Sequence, residues 1–232
     1  MELPLSLKNK CAEILGASIL SSKFIGGGDI NQARLLETSK GHFFLKYNTK
    51  PDAFEMFTKE AKGLELLRNS EVILIPKVIG VGQADDVAFL ILEYVETGFR
   101  NSDFWENFGR QLANLHRVTQ ENFGLDHSNY IGSLIQSNNP HSTWAEFYIN
   151  ERLLPQIELA RNLNRLQVAD IQLFKQLFKG LPNICPNEVP ALTHGDLWSG
   201  NFMVNHESEP VLIDPAVSFA HREMDLAMSK LF

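Results

Sequence analysis

The stretch that most constrains the fold is Leu192–Asp214, near the end of the chain, which reads LTHGDLWSGNFMVNHESEPVLID. Two short apolar runs, Phe202–Val204 and Val211–Ile213, flank a polar turn, and this pattern predicts a β-hairpin. A hairpin brings its two ends together, so we expect Asp214 to lie near Asn201 although thirteen positions separate them. The stretch therefore predicts a convergence of oxygen-bearing side chains at one end of the hairpin.

Asp196 lies five residues before Asn201, which is the Asp-x-x-x-x-Asn spacing of the kinase catalytic loop. His194-Gly195-Asp196 stands where protein kinases carry His-Arg-Asp. Phosphoryl transfer needs one carboxylate that orients the attacking hydroxyl, and oxygen ligands for magnesium. In this interpretation Asp196 is the catalytic base, and Asn201 and Asp214 are the metal ligands. Two other interpretations of the stretch alone stay open: a polar loop with structurally satisfied carboxylates, and the His/Asp site of a metal hydrolase.

Composition narrows the classes of protein. The 232 residues are 44% hydrophobic and 21% charged, as in ordinary globular proteins, and the net charge is −7. We expect no nucleic-acid partner and no attachment to anionic membranes, because both need a positive surface. No apolar run reaches transmembrane length. The two cysteines, Cys11 and Cys185, form no CxxC pair, so we predict reduced thiols and a cytoplasmic location.

The first half of the chain carries residues suited to a nucleotide. Gly26, Gly27 and Gly28 follow the start of an apolar strand, and such a turn lets backbone N–H groups lie over phosphates. Glycine turns without a ligand are at least as common. Lys46 stands within an apolar strand and Glu60 lies on the following helix, an order that matches the ion pair of kinases. For either residue alone, an exposed side chain without that partner is the simpler interpretation.

The last apolar strand of the first half ends in Glu93, Tyr94 and Val95, followed by a connector that contains a glycine. This pattern predicts a hinge between two lobes, at residues 1–94 and 95–232. The first lobe would bind the nucleotide, and the second would bind the substrate and carry the catalytic loop. We place the backbone of the three hinge residues against adenine, on the basis of their order in the chain.

The second half is mainly helical. Helical periodicity predicts one helix from about Ser102, which includes a structural His116, and two more at Thr143–Arg161 and Leu166–Lys179. The Asn122–Pro140 segment has little periodicity and many polar side chains. It is either an ordered loop that lines a substrate cleft or a plain connector.

Thr193–Asn201 and Ile213–Phe232 closely resemble the fructosamine kinase (ketosamine-3-kinase) family. The GGGDINQA, NYIG and QSN segments are similar to that family too, so the resemblance covers essentially the whole chain. It implies the bilobal α+β fold of protein kinase-like enzymes and aminoglycoside phosphotransferases. That fold has a small antiparallel sheet in its N-terminal lobe and a mainly helical C-terminal lobe with a catalytic hairpin.

The resemblance implies ATP- and Mg²⁺-dependent phosphorylation of the sugar 3-hydroxyl of ketosamines, either small molecules or glycated proteins, with deglycation as the result. Asp196 would be the base, Lys46 and Glu60 would position the phosphates, and Trp198 would either flank the ketosamine or pack on the catalytic loop. Asp225 would anchor the catalytic loop. Two alternatives stay open: a kinase of another small alcohol or aminoglycoside, and an inactive nucleotide-binding relative.

The chain departs from the family pattern at two places. Some members carry Cys where this chain has Asp29, and a redox response through that thiol is therefore not expected here. The family normally continues for several tens of residues beyond the LAMSKLF with which this sequence ends, so the chain is expected to be truncated. Missing C-terminal helices would expose apolar surface.

Overall fold

The structure is a computed structural model that describes residues 2–26 and 31–231. Its elements, in chain order, are α1 (Leu5–Leu15), β1 (Ile19–Ile25), β2 (Gln32–Thr38), β3 (Gly41–Asn48), α2 (Ala53–Arg68), β4 (Val78–Ala84), β5 (Val87–Glu93), α3 (Phe104–Leu115), β6 (Asn129–Ile131), β7 (Leu134–Gln136), α4 (Trp144–Phe147), a π-helical segment (Tyr148–Leu153), α5 (Leu154–Asn162), α6 (Val168–Ile184), β8 (Ala191–Thr193), β9 (Phe202–Val204), β10 (Pro210–Leu212), β11 (Ser218–Ala220) and α7 (Glu223–Leu231).

The chain forms two compact units, Met1–Leu112 with Ser199–Pro215 and Ala113–Trp198 with Ala216–Phe232. The units group residues by contact and not by function. The division into functional lobes at residues 1–94 and 95–232 therefore stays a prediction.

The first unit is built on an antiparallel sheet with the strand order β1-β2-β3-β5-β4. Leu7 and Cys11 of α1 pack with Leu45 of β3 and Phe89 and Ile91 of β5 in its buried core. Burial raises the pKa of the Cys11 thiol to about 12, so this cysteine stays a protonated apolar side chain. β3 lies between β2 and β5, so both of its edges are hydrogen-bonded, and Lys46 on it is buried, so its ammonium group needs a partner.

Two local expectations for the first unit are wrong. Helical spacing of apolar side chains predicts a helix over residues 5–20, but the helix ends at Leu15, because Gly16 adopts a left-handed conformation (φ 56°) that ends it. The apolar run Val72–Ile75 predicts a strand, but it forms only a single bridge, between Leu74 and Val211 of the hairpin. The bridge still serves the fold, since it attaches the hairpin to the rest of the unit.

The predicted hairpin is present as β9 and β10, which pair antiparallel. The Gly98 N–H donates to Val204 O at 2.8 Å, so the connector after β5 holds the outer side of β9. A Cβ added to Gly98 would lie 2.2 Å from Asn205 O, a distance that no side chain tolerates. The position therefore requires glycine, for close backbone approach rather than for an unusual φ.

The second unit contains two two-stranded sheets, one of β8 paired with β11 and one of β6 paired with β7, and most of the helical residues. The helix predicted at Thr143–Arg161 is interrupted by the π-helical segment Tyr148–Leu153. Pro182 predicts an end to the next helix, because proline lacks the N–H that helix bonding needs, but α6 continues through it and reaches Ile184. Helical spacing predicts Leu173 and Leu177 as core residues, but both are exposed on this helix. None of the helices in residues 2–26 and 31–231 has both the length and the apolar character of a membrane span.

Candidate active site

A buried lysine between two carboxylates is the main charged feature of the first unit. Lys46 Nζ donates to Glu60 Oε1 and to Asp214 Oδ1, both at 2.8 Å. Lys46 lies on β3, Glu60 on α2, and Asp214 follows the return strand of the hairpin. The expected contact between Lys46 and Glu60 is thus present, and the second carboxylate joins it from a position 168 residues away.

The charges of this group depend on one another. Burial alone lowers the pKa of Lys46, but the carboxylates of Asp214 and Glu60 outweigh burial and raise it well above its usual range. Burial raises the pKa of the Glu60 carboxyl, and the Lys46 charge opposes that shift. Lys46 therefore carries its positive charge in the folded protein. The Asp214 side chain is 46% exposed, so the group opens to ligand on that side.

Asn201 and Asp214 meet at the open end of the hairpin, as the sequence predicts. The Ile213 N–H donates to Asn201 O at 3.0 Å, and Asn201 Nδ2 donates to the backbone oxygen of Asp214 at 3.4 Å. Asp214 has φ +53°, a conformation that costs free energy in residues other than glycine and is concentrated at functional sites. Carboxylate and amide oxygens are the ligand types that magnesium prefers, so the pair fits that ion. Their role as metal ligands stays a prediction.

The predicted catalytic loop belongs to the second unit, where a buried carboxylate holds its backbone. Asp225 is fully buried on α7, and its Oδ2 accepts from His194 N while its Oδ1 accepts from Gly195 N, both at 2.9 Å. His116 Nε2 donates to the same Oδ2 at 2.9 Å. Asp196, the predicted base, follows directly and is partly exposed. Asp225 contacts the loop in the way that an anchoring residue should.

Gly195 is required by the same loop for two reasons. It has φ +82°, in the left-handed region, and a Cβ at this position would lie 2.1 Å from Ala216 O. Trp198 is 41% exposed, and its backbone N–H donates to the backbone oxygen of Asp196 at 3.1 Å. The indole therefore has exposed surface in this unit. Its predicted contact with the ketosamine stays a prediction.

The remaining predicted nucleotide residues lie in the first unit. Gly26 follows β1 and is exposed, with open space where a Cβ would be, whereas Gly27 and Gly28 lie outside the described residues. Glu93 ends β5, and its carboxylate accepts from Lys77 N at 3.1 Å. The half-buried Tyr94 packs edge-on against His42 with ring centres 6.0 Å apart, and Val95 is half-buried too. Contact of these residues with a nucleotide stays a prediction.

Comparison with known proteins identifies the family. The fructosamine kinase family model matches residues 6–232. The chain belongs to the fructosamine kinase family. A probable ketoamine kinase of Enterococcus faecium is 37% identical over 210 residues, covering 89% of this chain and 73% of that protein. The chloroplastic protein-ribulosamine 3-kinase of Arabidopsis thaliana is 37% identical over 213 residues, covering 88% of this chain and 64% of that protein.

Solved structures agree with the family. A structure assigned to fructosamine-3-kinase from Thermobifida fusca superposes with a TM-score of 0.86 at 33% identity, covering 98% of this chain and 78% of that one. The aminoglycoside phosphotransferase APH(4)-Ia superposes with a TM-score of 0.67 at 13% identity, covering 97% of this chain and 75% of that one, and this likeness shows the fold alone. The predicted family and the predicted kinase-like α+β fold are confirmed.

Sequence reasoning on the family's site missed two supports. One is Gly98, whose backbone holds the hairpin that carries Asn201 and Asp214. In the sequence this glycine indicates only a connector, although a glycine beside a β-strand can also mark close backbone approach. The other is the pair Glu151 and Arg152 on the π-helical segment, which binds the polar segment 122–140. The apolar residues keep an approximately helical spacing through this turn, so the sequence pattern does not distinguish these two polar side chains from others on the predicted helix.

Proposed function

We propose that this member of the fructosamine kinase family transfers the γ-phosphoryl group of ATP to the 3-hydroxyl of a ketosamine, with magnesium as cofactor. The observation that carries the proposal is the position of Lys46, buried on β3 and bonded to both Glu60 and Asp214. An ammonium group has three donors. Two of them bind carboxylates, and in the described part of the chain the third is left for a phosphate oxygen of the nucleotide.

Each residue has a defined task in this reaction. Lys46, held by Glu60, binds the phosphates that stay with the leaving nucleotide. Asn201 and Asp214 would hold magnesium, which supplies positive charge that neutralises the phosphate oxygens. Asp196 accepts the hydrogen bond of the sugar 3-hydroxyl, aligns its oxygen with the γ-phosphorus and takes its proton as the O–P bond forms. Most of the rate comes from positioning and charge rather than from the strength of the base.

The nucleotide contacts are completed by residues of the first unit. We assign the phosphates to the backbone of Gly26–Gly28, of which Gly27 and Gly28 lie outside the described residues, and adenine to Glu93–Val95. Residues 1–94 would then bind the nucleotide, and 95–232 would carry catalysis and bind the acceptor. Trp198 offers a flat face to the sugar. The acceptor is a free ketosamine or a glycated protein, and loss of the phosphorylated sugar completes deglycation. The two unpaired cysteines support a cytoplasmic location.

The test is ATP consumption with magnesium, with ribulose-lysine, fructose-lysine and a panel of alcohols that includes choline and an aminoglycoside. We expect turnover of a ketosamine, and a fall in kcat of about 1,000-fold in Asp196→Asn with nucleotide affinity unchanged. Asp52→Asn is the matched control, because Asp52 is an exposed aspartate of the first unit. Turnover of an alcohol without turnover of any ketosamine would reject the proposed substrate. Full activity in Asp196→Asn would reject the proposed base.

A further inference from the structure

A polar cavity of about 550 Å³ lies in the second unit, and the residues assigned above to catalysis do not line it. Its walls come from three parts of one segment: residues 120–122, 125–128 and 138–140. This volume falls within the range of small-molecule and peptide side-chain sites. Leu125 and Pro140 are the two apolar residues among those that line it, so a mainly apolar ligand does not fit.

The floor of the cavity is fixed by buried hydrogen bonds. Asn138 is 1% exposed, and its Nδ2 donates to Asn129 Oδ1 and to His127 O, both at 3.0 Å. Arg152 Nη2 donates to Asn138 Oδ1 at 2.6 Å. Asn129 Nδ2 in turn donates to Val217 O at 2.7 Å. Every polar atom of the Asn138 side chain is thus bonded, which is how a preformed wall differs from an ordinary surface loop.

The charges of the lining select one class of ligand. Glu121 and Asp126 contribute carboxylates, and no lysine or arginine lies among the lining residues. Asp126 contacts Nδ1 of His127, whereas Nε2 of that imidazole is buried with no hydrogen-bond partner in the described part of the chain. An anion would meet like charge here, so a cationic group with hydrogen-bonding neighbours fits best.

Arg152, which supports the floor, does not reverse this sign. Burial lowers the pKa of its guanidinium to about 10, still well above neutral pH. Glu151 is adjacent and carries the opposite charge. Burial acts to raise the pKa of the Glu151 carboxyl, but hydrogen bonds from the Ser137, His141 and Asn139 side chains outweigh burial and lower it. The two charges beneath the floor offset each other, which leaves Glu121 and Asp126 to set the potential.

Backbone pairing connects this segment to the predicted catalytic loop. Gly124, between two stretches of the lining, exchanges hydrogen bonds of 2.8 and 2.9 Å with Phe219 of β11. The Thr193 hydroxyl donates to Ser218 O on the same strand at 2.8 Å, and Thr193 precedes the His194-Gly195-Asp196 loop. One strand therefore supports both the cavity and the loop that carries the proposed base.

We propose that this cavity binds a positively charged peptide segment next to the glycated lysine of the acceptor. This inference rests on the proposed function, since it assigns the protein part of that acceptor to a second site. The catalytic loop would bind the sugar of the acceptor, and Glu121 and Asp126 would bind the cationic peptide that carries this sugar. The enzyme would then favour glycated sites in lysine-rich sequence over the same ketosamine on a neutral carrier.

The experiment compares three acceptors that carry the same ketosamine: a peptide with lysines beside the modified residue, the same peptide with those lysines replaced by glutamine, and the free ketosamine. Wild type should show a KM for the lysine-rich peptide about tenfold lower than for the neutral one, with similar kcat, and the preference should fall as salt rises. The double variant Glu121→Gln, Asp126→Asn should raise the first KM to that of the neutral peptide.

A matched control carries the same change in net charge away from the cavity: Glu158→Gln with Glu207→Gln, whose side chains are 70% and 65% exposed. It should keep the preference. An unchanged preference in the cavity variant would overturn the proposal. So would an equal rise in KM for the free ketosamine, which would place the sugar in the cavity. Calorimetric binding of the unglycated lysine-rich peptide tests the cavity even when no ketosamine turns over, and equal affinity in wild type and cavity variant would also overturn it.

Discussion

Two buried charges, one in each unit, are stabilised in opposite ways. Lys46 in the first unit is a cation bonded to two carboxylates, those of Glu60 and Asp214. Asp225 in the second unit is an anion that contacts no lysine or arginine among the described residues. It accepts instead from two backbone N–H groups and from the imidazole of His116. Either solution removes most of the cost of burying a charge, which is large when the charge is left alone.

The difference shows what each charge can do. An ion pair stabilises a charged head without fixing the backbone around it, so Lys46 can bind the two carboxylates and still offer a donor to a ligand. A carboxylate that is saturated by backbone donors has little left for a ligand, but it fixes the peptide planes that point at it. We infer that the first arrangement serves binding and the second serves positioning. Substitutions at Lys46 and at Asp225 should therefore differ in their effects on ligand binding and on turnover.

The largest effect should come from Lys46→Met, which removes the cation and leaves two carboxylates facing each other. We expect kcat/KM to fall about 1,000-fold, with weaker nucleotide binding and slower turnover together. Breaking a buried pair also costs about 3 kcal/mol of unfolding free energy. Urea unfolding and nucleotide titration measure the two losses. Lys62→Met, on the exposed side of α2, should be silent in both assays.

The same variant has a pH signature. Without Lys46, the folded-state pKa of Glu60 lies still further above its unfolded value of about 4.3. A group with a raised folded pKa contributes stability below its unfolded pKa and loses that contribution as pH rises through the folded pKa. The stability deficit of Lys46→Met should therefore be larger at pH 7.5 than at pH 5. A deficit that grows on acidification would show that Glu60 is not the group left uncompensated.

The second effect in size should come from Asp225→Asn. An amide cannot accept all three hydrogen bonds, so at least one buried donor loses its partner at a cost of about 1–3 kcal/mol. We expect kcat to fall about 100-fold while nucleotide affinity stays within twofold of wild type, since the damage is to the loop and not to Lys46. Melting temperature, kcat and nucleotide affinity are measured together. Glu223→Gln, an exposed acid on the same helix, is the control, and equal losses of affinity and kcat would contradict the contrast.

The contacts around Lys46 are partly predictable from the sequence. Lys46 within an apolar strand and Glu60 at the next helix form a local pattern, and the hairpin rule brings Asn201 and Asp214 together. These contacts follow from periodicities of two and 3.6 residues, which sequence displays directly. Asp214 bonding to Lys46 could be expected only through the kinase-like arrangement, because no local pattern links positions 168 residues apart.

Features that depend on backbone approach were less predictable. The close approach of Gly98 to Asn205 depends on how two segments that are distant in sequence pack together. The glycine alone does not indicate which backbone lies against it. The interruption of the Thr143–Arg161 helix by a π-helical turn was missed, since the apolar residues keep an approximately helical spacing through it. Leu173 and Leu177 were placed in the core by that same spacing, yet spacing defines a helix face and not what covers it.

The smallest effect on kcat should come from His116, and it tests whether Asp225 is positioned by hydrogen bonds or by packing. His116→Gln keeps a nitrogen donor for Asp225 Oδ2, while the two backbone donors remain, so kcat should fall only about threefold. His116→Leu fills similar space without a donor and should cost about 1.5–3 kcal/mol, the usual worth of a hydrogen bond to a charged group, with kcat reduced about 20-fold. Thermal melting and kcat for the two variants, beside the exposed His206→Leu as control, give the comparison. If His116→Gln lowers kcat and the melting temperature as much as His116→Leu does, the shape of the ring rather than its donor positions Asp225. Asp225 would then depend on packing, whereas Lys46 depends on charge.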